Sequence, residues 1–218
     1  HKTDNMNISQ VDFKIDQLRL KGSLYQPQKR PTGTIIGCHG LLSDRTSPKQ
    51  QVLARHCAEL NLAYFAFDHR GCGESDGEFE QVTSLDNRIK DLLAAVNFIQ
   101  NNTNPGKKLG LFGSSMGGTV CLAASQQIKP SAIVTIAAPL KSATLVRNNK
   151  NAIDTGNFSP SFYQKKLQFD ITNTINGVKN LLVFHGDADE TVPVSHGRTI
   201  HSLASEPKMT VIQKGGDH

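Results

Sequence analysis

The chain has 218 residues, 37% of them hydrophobic and 6% aromatic, with no tryptophan and a net charge of +5. That length suits one domain with a largely aliphatic core. The basic residues are scattered rather than interleaved with aromatics, which disfavours a nucleic-acid partner, and no segment has the apolar length of a membrane-spanning helix.

Four cysteines, Cys38, Cys57, Cys72 and Cys121, stand far apart and form no Cys-x-x-Cys pair. A disulfide framework is therefore not expected, and a reducing compartment, the cytoplasm, is. Cys38 and Cys121 lie inside apolar runs and read as small buried residues.

Residues 11–16 and 18–25 alternate apolar and polar side chains, the pattern of antiparallel strands with one wet face. Short continuous apolar runs follow at 34–38, 63–67, 109–112, 132–136, 181–184 and 209–212, as expected for parallel strands buried on both faces. Between them lie helical patterns at 48–60, 84–99, 116–128 and 195–203. Ser84 or Thr83 is placed to cap the second of these. Strand–helix alternation predicts an α/β fold built on a doubly wound, mostly parallel sheet, preceded by the antiparallel strands. Residues 141–177 break the alternation. They are polar, Asn-rich and carry Phe158, Phe162, Tyr163 and Phe169, and a small cap or lid is expected there within a single domain spanning 1–218. Lys165-Lys166 reads as a solvated face.

The chemistry gathers just after the apolar runs, where open α/β sheets carry their sites. Gly113-Ser114-Ser115-Met116-Gly117 joins a strand to a helix through a glycine-flanked turn with Ser115 at its tip. That arrangement exposes a nucleophilic hydroxyl beside the free N–H groups of a helix start. His185-Gly186-Asp187-Ala188-Asp189 follows a later strand, and Gly215-Gly216-Asp217-His218 follows the last. A serine needs a base, and the base a carboxylate; the order serine, acid, histidine is that of an α/β hydrolase.

Four signatures carry a resemblance to the α/β-hydrolase superfamily over nearly the whole chain. They are His39-Gly40, Asp68-x-Arg70-Gly71-x-Gly73-x-Ser75, Gly113-x-Ser115-x-Gly117 and His185-Gly186-x-x-Asp189-x-x-Val192-Pro193. The run Ser75-Asp76-Gly77-Glu78-Phe79 before a long helix is similar to small serine esterases of the cinnamoyl and feruloyl esterase kind. The resemblance implies Ser115 as nucleophile, His218 as base and Asp189 as acid. Asp187 is the rival acid, with a loop-holding role as its alternative. It also implies an oxyanion hole from the backbone N–H groups of Leu41 and Met116. His39 is expected to be structural and Asp217 to orient the final loop. The family carries a helix after this histidine that the sequence does not contain, and a terminal imidazole is expected to fray.

The glycines at 71, 73, 113, 117 and 118 do not match dinucleotide or phosphate loops, and His196 and His201 fall on different helix faces. No cofactor and no metal are therefore expected. The implied function is serine hydrolysis of a small or medium carboxylic ester through an acyl-enzyme. A thioesterase or peptidase with the same triad, or a non-catalytic binding protein on the same fold, are the alternatives. Oligomeric state is not legible.

Overall fold

The computed structural model describes residues 6–144, 158 and 160–218. Among them, eight strands form one sheet in the order β1-β2-β4-β3-β5-β6-β7-β8. β1 (Met6–Ile15) and β2 (Leu18–Pro27) make an antiparallel hairpin, closed by Asp16 and Gln17. Both turn residues have positive φ, 49° and 64°. That is the two-residue geometry whose twist matches the flanking strands. β2 pairs antiparallel with β4 (Ala63–Phe67); β3 (Gly33–Cys38), β4, β5 (Lys108–Ser114), β6 (Ala132–Ile136), β7 (Leu181–Gly186) and β8 (Lys208–Gln213) pair in parallel.

The helical patterns become α1 (Pro48–Glu59), α3 (Leu85–Asn102), α4 (Met116–Ile128) and α6 (Ser195–Leu203). Ser84, not Thr83, caps α3, its hydroxyl accepting the Asn87 N–H at 3.1 Å. Two short helices had no periodic signal, α2 (Phe79–Val82) and α5 (Pro160–Lys166). Each is about two turns or less, too short for an apolar stripe to repeat.

One face of the sheet is sealed. Ile36, Leu111, Ile133, Leu181 and Val183 pack against Leu92, Ala95 and Ile99 of α3, Val120 of α4 and Ile200 of α6 in the main core. The opposite face is covered by α1 over Tyr64, Ala66 and Phe112. Beyond α1, the cross-strand rows Val134–Leu182–Met209 and Ile136–Phe184–Val211 share that face. They are half-buried at best, Met209 being 62% and Val211 37% exposed. The expectation that these strands are buried on both faces is therefore met only in part: on the α1 side Val134 and Ile136 of β6 pack at the edge of the α1 cluster, and Met209 and Val211 of β8 are exposed.

Of the segment 141–177, residues 145–157 and 159 lie outside the described residues. The described remainder divides in two. Leu167, Ile171 and Ile175 are buried, the last two in the main core. Phe158 stacks on Phe79 of α2 at 4.9 Å, Phe162 packs tilted against both at 5.6 and 5.5 Å, and Tyr163 meets Phe162 edge-on at 5.3 Å. Lys165 is exposed, and Lys166 beside it donates to the Gln81 carbonyl in an exposed bond that ties α5 to α2. No helix of the described residues is long and apolar enough to cross a membrane. All four cysteines are free and buried.

Candidate active site

β5 ends in a turn that only glycines can flank. A Cβ on Gly113 would lie 2.3 Å from the Gly117 carbonyl oxygen, and one on Gly117 would lie 2.1 Å from that of Cys38. Between them Ser115 takes φ 52°, ψ −124°, a strained conformation for a residue with a side chain. Its own N–H is held by the Ile136 carbonyl at 2.8 Å. The strain lifts the hydroxyl above the sheet at the start of α4, as strand-to-helix nucleophile turns do.

Two other strand ends converge on that hydroxyl. His218, beyond β8, stands with Nε2 3.0 Å from Ser115 Oγ and Nδ1 2.8 Å from Asp189 Oδ2. The expected fraying of this imidazole is not seen: both ring nitrogens are engaged. Asp189 follows β7, its side chain fully buried, and its Oδ1 accepts the N–H groups of Thr191 at 2.9 Å and Val192 at 2.7 Å. Burial alone would raise this carboxyl. The His218 hydrogen bond, the Val192 N–H, the imidazole charge and the Thr191 N–H together outweigh it, and the group is held below the usual carboxylate range. An ionised Asp189 only accepts, so Nδ1 carries the proton and Nε2 is left to accept from the Ser115 hydroxyl.

Asp187 faces elsewhere. Its Oδ1 accepts the Gly215 N–H at 2.6 Å, and its backbone N–H donates to the Gln213 carbonyl at 3.1 Å. The loop before His218 is thus held by Asp187. Asp217, expected to do this, is exposed and makes no hydrogen bond among the described residues.

The β3 end supplies the third side. His39 is buried. Its Nε2 accepts the His69 N–H at 3.1 Å, which leaves Nδ1–H to donate to the Gly40 carbonyl at 2.7 Å. Burial, then the charges of His69 and Arg88, push this imidazole well below its ordinary value despite the Gly40 bond, so it is neutral and structural. A Cβ on Gly40 would stand 3.6 Å from Ser115 Cβ, so this loop lies against the serine turn. Among the described residues neither the Leu41 nor the Met116 amide has an acceptor. The side chains of Leu41 and Met116 join Phe79, Phe158, Phe162 and Tyr163 in one apolar cluster. A cavity of about 460 Å³ opens beside it, lined by Glu78, Phe79, Glu80, Gln81 and Phe158.

Behind the site runs a charged layer. Asp68 accepts the Arg45 N–H at 2.7 Å and the Glu74 N–H at 2.9 Å, and pairs with the Arg45 guanidinium. Asp91 holds the Arg70 N–H at 3.0 Å and Nε at 2.7 Å, and lies 3.4 Å from His69 Nδ1. The sequence did carry a signal for part of this layer. Arg88 and Asp91 fall inside the apolar stripe Leu85, Leu92, Ala95, Ile99 of α3, where a charge is buried and needs a partner. Among the described residues no three His, Cys, Asp or Glu side chains cluster to hold a metal. His196 is buried and accepts the Leu140 N–H at 2.8 Å.

The family model described as Serine aminopeptidase, S33 matches residues 29–170. YfhR of Escherichia coli O157:H7 is 30% identical over 226 residues, covering 99% of this chain and 75% of that protein. Human monoglyceride lipase is 34% identical over 98 residues, 45% of this chain and 31% of the lipase. Among solved structures, Est1E of Butyrivibrio proteoclasticus with ferulic acid bound has a TM-score of 0.78 at 19% identity, covering 95% of this chain and 90% of that one. That likeness is one of fold and takes in more of the chain than the family model does. With the family model covering residues 29–170, the serine turn among them, the chain belongs to the Serine aminopeptidase, S33 family and is an α/β hydrolase.

Proposed function

We propose that this hydrolase cleaves a small or medium carboxylic ester by serine catalysis. The observation that carries the reading is the continuous hydrogen-bonded line from Asp189 Oδ2 through the His218 ring to Ser115 Oγ. Ser115 Oγ attacks the ester carbonyl carbon as its proton passes to His218 Nε2. Asp189 keeps the ring oriented and balances the imidazolium. The Leu41 and Met116 N–H groups receive the negative charge that develops on the carbonyl oxygen. The tetrahedral intermediate collapses, His218 returns the proton to the departing alcohol, and the acyl group stays on Ser115. Water, deprotonated by the same imidazole, then attacks the acyl carbonyl and frees the acid and the serine.

The apolar cluster of Leu41, Met116, Phe79, Phe158 and Phe162 supports an apolar acyl or aryl group as the part of the substrate that lies beside the oxyanion amides. We assign α5 and its aromatics to a small cap over the site, within one domain. The four free, buried thiols support a reducing, cytoplasmic setting. The substrate on this reading is a small molecule rather than a nucleic acid, and no cofactor or metal takes part.

A fluorophosphonate probe tests the nucleophile: labelling is expected in the native chain and absent in Ser115→Ala, and unlabelled native protein would point to a binding function. Hydrolysis of p-nitrophenyl esters of graded length tests the acyl preference, and a rise in kcat/KM toward long chains would overturn it. The family description favours a peptidase as the second reading. Rates on matched ester, thioester and amide substrates separate the two.

A further inference from the structure

Three arginines are buried behind the site. Arg45 meets the carboxylate of Asp68 and Arg70 that of Asp91. Arg88 is different. Its residue is completely enclosed, it makes no ion pair among the described residues, and its Nε has no partner. Its fork closes instead on two consecutive backbone carbonyls, Nη1 donating to Gly40 O at 3.2 Å and Nη2 to Leu41 O at 2.9 Å. A third contact goes from Nη2 to Cys72 Sγ at 3.3 Å. An enclosed guanidinium without a carboxylate is expensive, so its place beside this loop calls for a reason.

The reason lies in the peptide unit. A peptide is planar and trans, so the C=O of Gly40 and the N–H of Leu41 point in opposite directions. The Gly40 carbonyl is drawn inward by Arg88 and by His39 Nδ1–H. The Leu41 N–H is thereby turned outward, and it has no acceptor among the described residues. The carbonyl on the far side of Leu41 is fixed by the same fork, so the peptide cannot flip about either bond without breaking a charge-assisted contact.

We infer that Arg88 is a positioning residue of the oxyanion loop: it aims the Leu41 N–H at the developing oxyanion and sets a buried positive charge behind it. The inference rests on the proposed oxyanion role of Leu41. It acts in the tetrahedral state, where preorganised donors matter most, and not on ground-state binding.

The test measures kcat, KM and the Ki of a trifluoromethyl ketone, which forms a tetrahedral adduct with the serine, for the full chain carrying Arg88→Met or Arg88→Lys. Arg88→Met is expected to lower kcat and to raise Ki by the same factor, about 10²-fold, the scale of losing one oxyanion donor, with KM changed less than about threefold. Arg88→Lys keeps the charge but not the fork. It is expected to lose about tenfold in both, and it decides the matter should Arg88→Met fail to fold. Wild-type kcat and Ki in Arg88→Lys, or a fall in kcat with Ki unmoved, overturn the inference. Ser115→Ala is assayed alongside. Full turnover in that variant removes the serine reading itself, whereas its inactivity beside indifferent Arg88 variants removes only the role given to Arg88.

Discussion

Ser115 and His218 stand 3.0 Å apart, yet they come from halves of the site that are held in different ways. The serine half is clamped. Its turn is wedged between backbone atoms, and the loops at the ends of β3 and β4 rest on buried ion pairs at Asp68 and Asp91. The imidazole half stands beyond an edge strand with exposed Met209 and Val211, and its loop is joined to β7 by a few bonds from Asp187, Ala188 and Gly216. On the proposed serine mechanism, the difference teaches that a nucleophile and an oxyanion pocket need fixed geometry, while the base takes a lighter mounting because it is secured at both of its ring nitrogens.

The largest expected effect lies on the clamped side. Ser115→Ala is expected to lower kcat by on the order of 10⁵-fold or more, measured on a p-nitrophenyl ester, with unchanged circular dichroism. On the lighter side, Asp189→Asn is expected to lose about 10⁴-fold, because an amide favours the wrong imidazole tautomer. Asp187→Asn should stay within about tenfold, since an amide oxygen still accepts the Gly215 N–H. Equal losses in these two variants would blur the assignment of the acid.

Stability should split along the same line. Asp68→Ala leaves Arg45 buried without its partner and is expected to cost about 3–5 kcal/mol in urea unfolding. Exchange of exposed Met209 for Lys should move stability by no more than about 0.5 kcal/mol. The smallest effect is a pH dependence. Asp189 is held below its ordinary carboxyl value, so the folded state binds its proton less readily than the unfolded chain does. Its contribution is complete above the unfolded carboxyl value of about 4 and is lost as pH falls through the folded one. The stability gap between the native chain and Asp189→Asn should therefore be widest near neutrality and shrink in acid. A gap that grows in acid would mean the carboxyl is not ionised in the fold.

Most of the sheet was legible because its strands and helices advertise themselves locally, through apolar runs and the stripe of α3. The serine turn was legible for the same reason, since its glycines and the strand before it lie within ten residues. The convergence of Asp189 and His218 on Ser115 came from the order of motifs and the family resemblance. The rest depends on partners distant in the chain. Nothing near Arg88 in sequence announces that its fork closes on Gly40 and Leu41. Asp187 and Asp217 are equally good local candidates for holding the last loop, and only the approach of Gly215 decides between them. The half-bare face of β6–β8 was hidden because strand composition reports what a strand can bury, not what arrives to cover it.

The four sequestered thiols have a practical consequence. A sulfhydryl reagent in solution has no access to Cys38 and Cys121 while the fold is closed and little to Cys57 and Cys72, so modification of the first two records an opening event. Cys57 sits in α1, Cys72 in the loop after β4, Cys38 at the end of β3 and Cys121 in α4, so they sample different elements of the fold. The order in which they react would chart how the molecule breathes, with no label added to it.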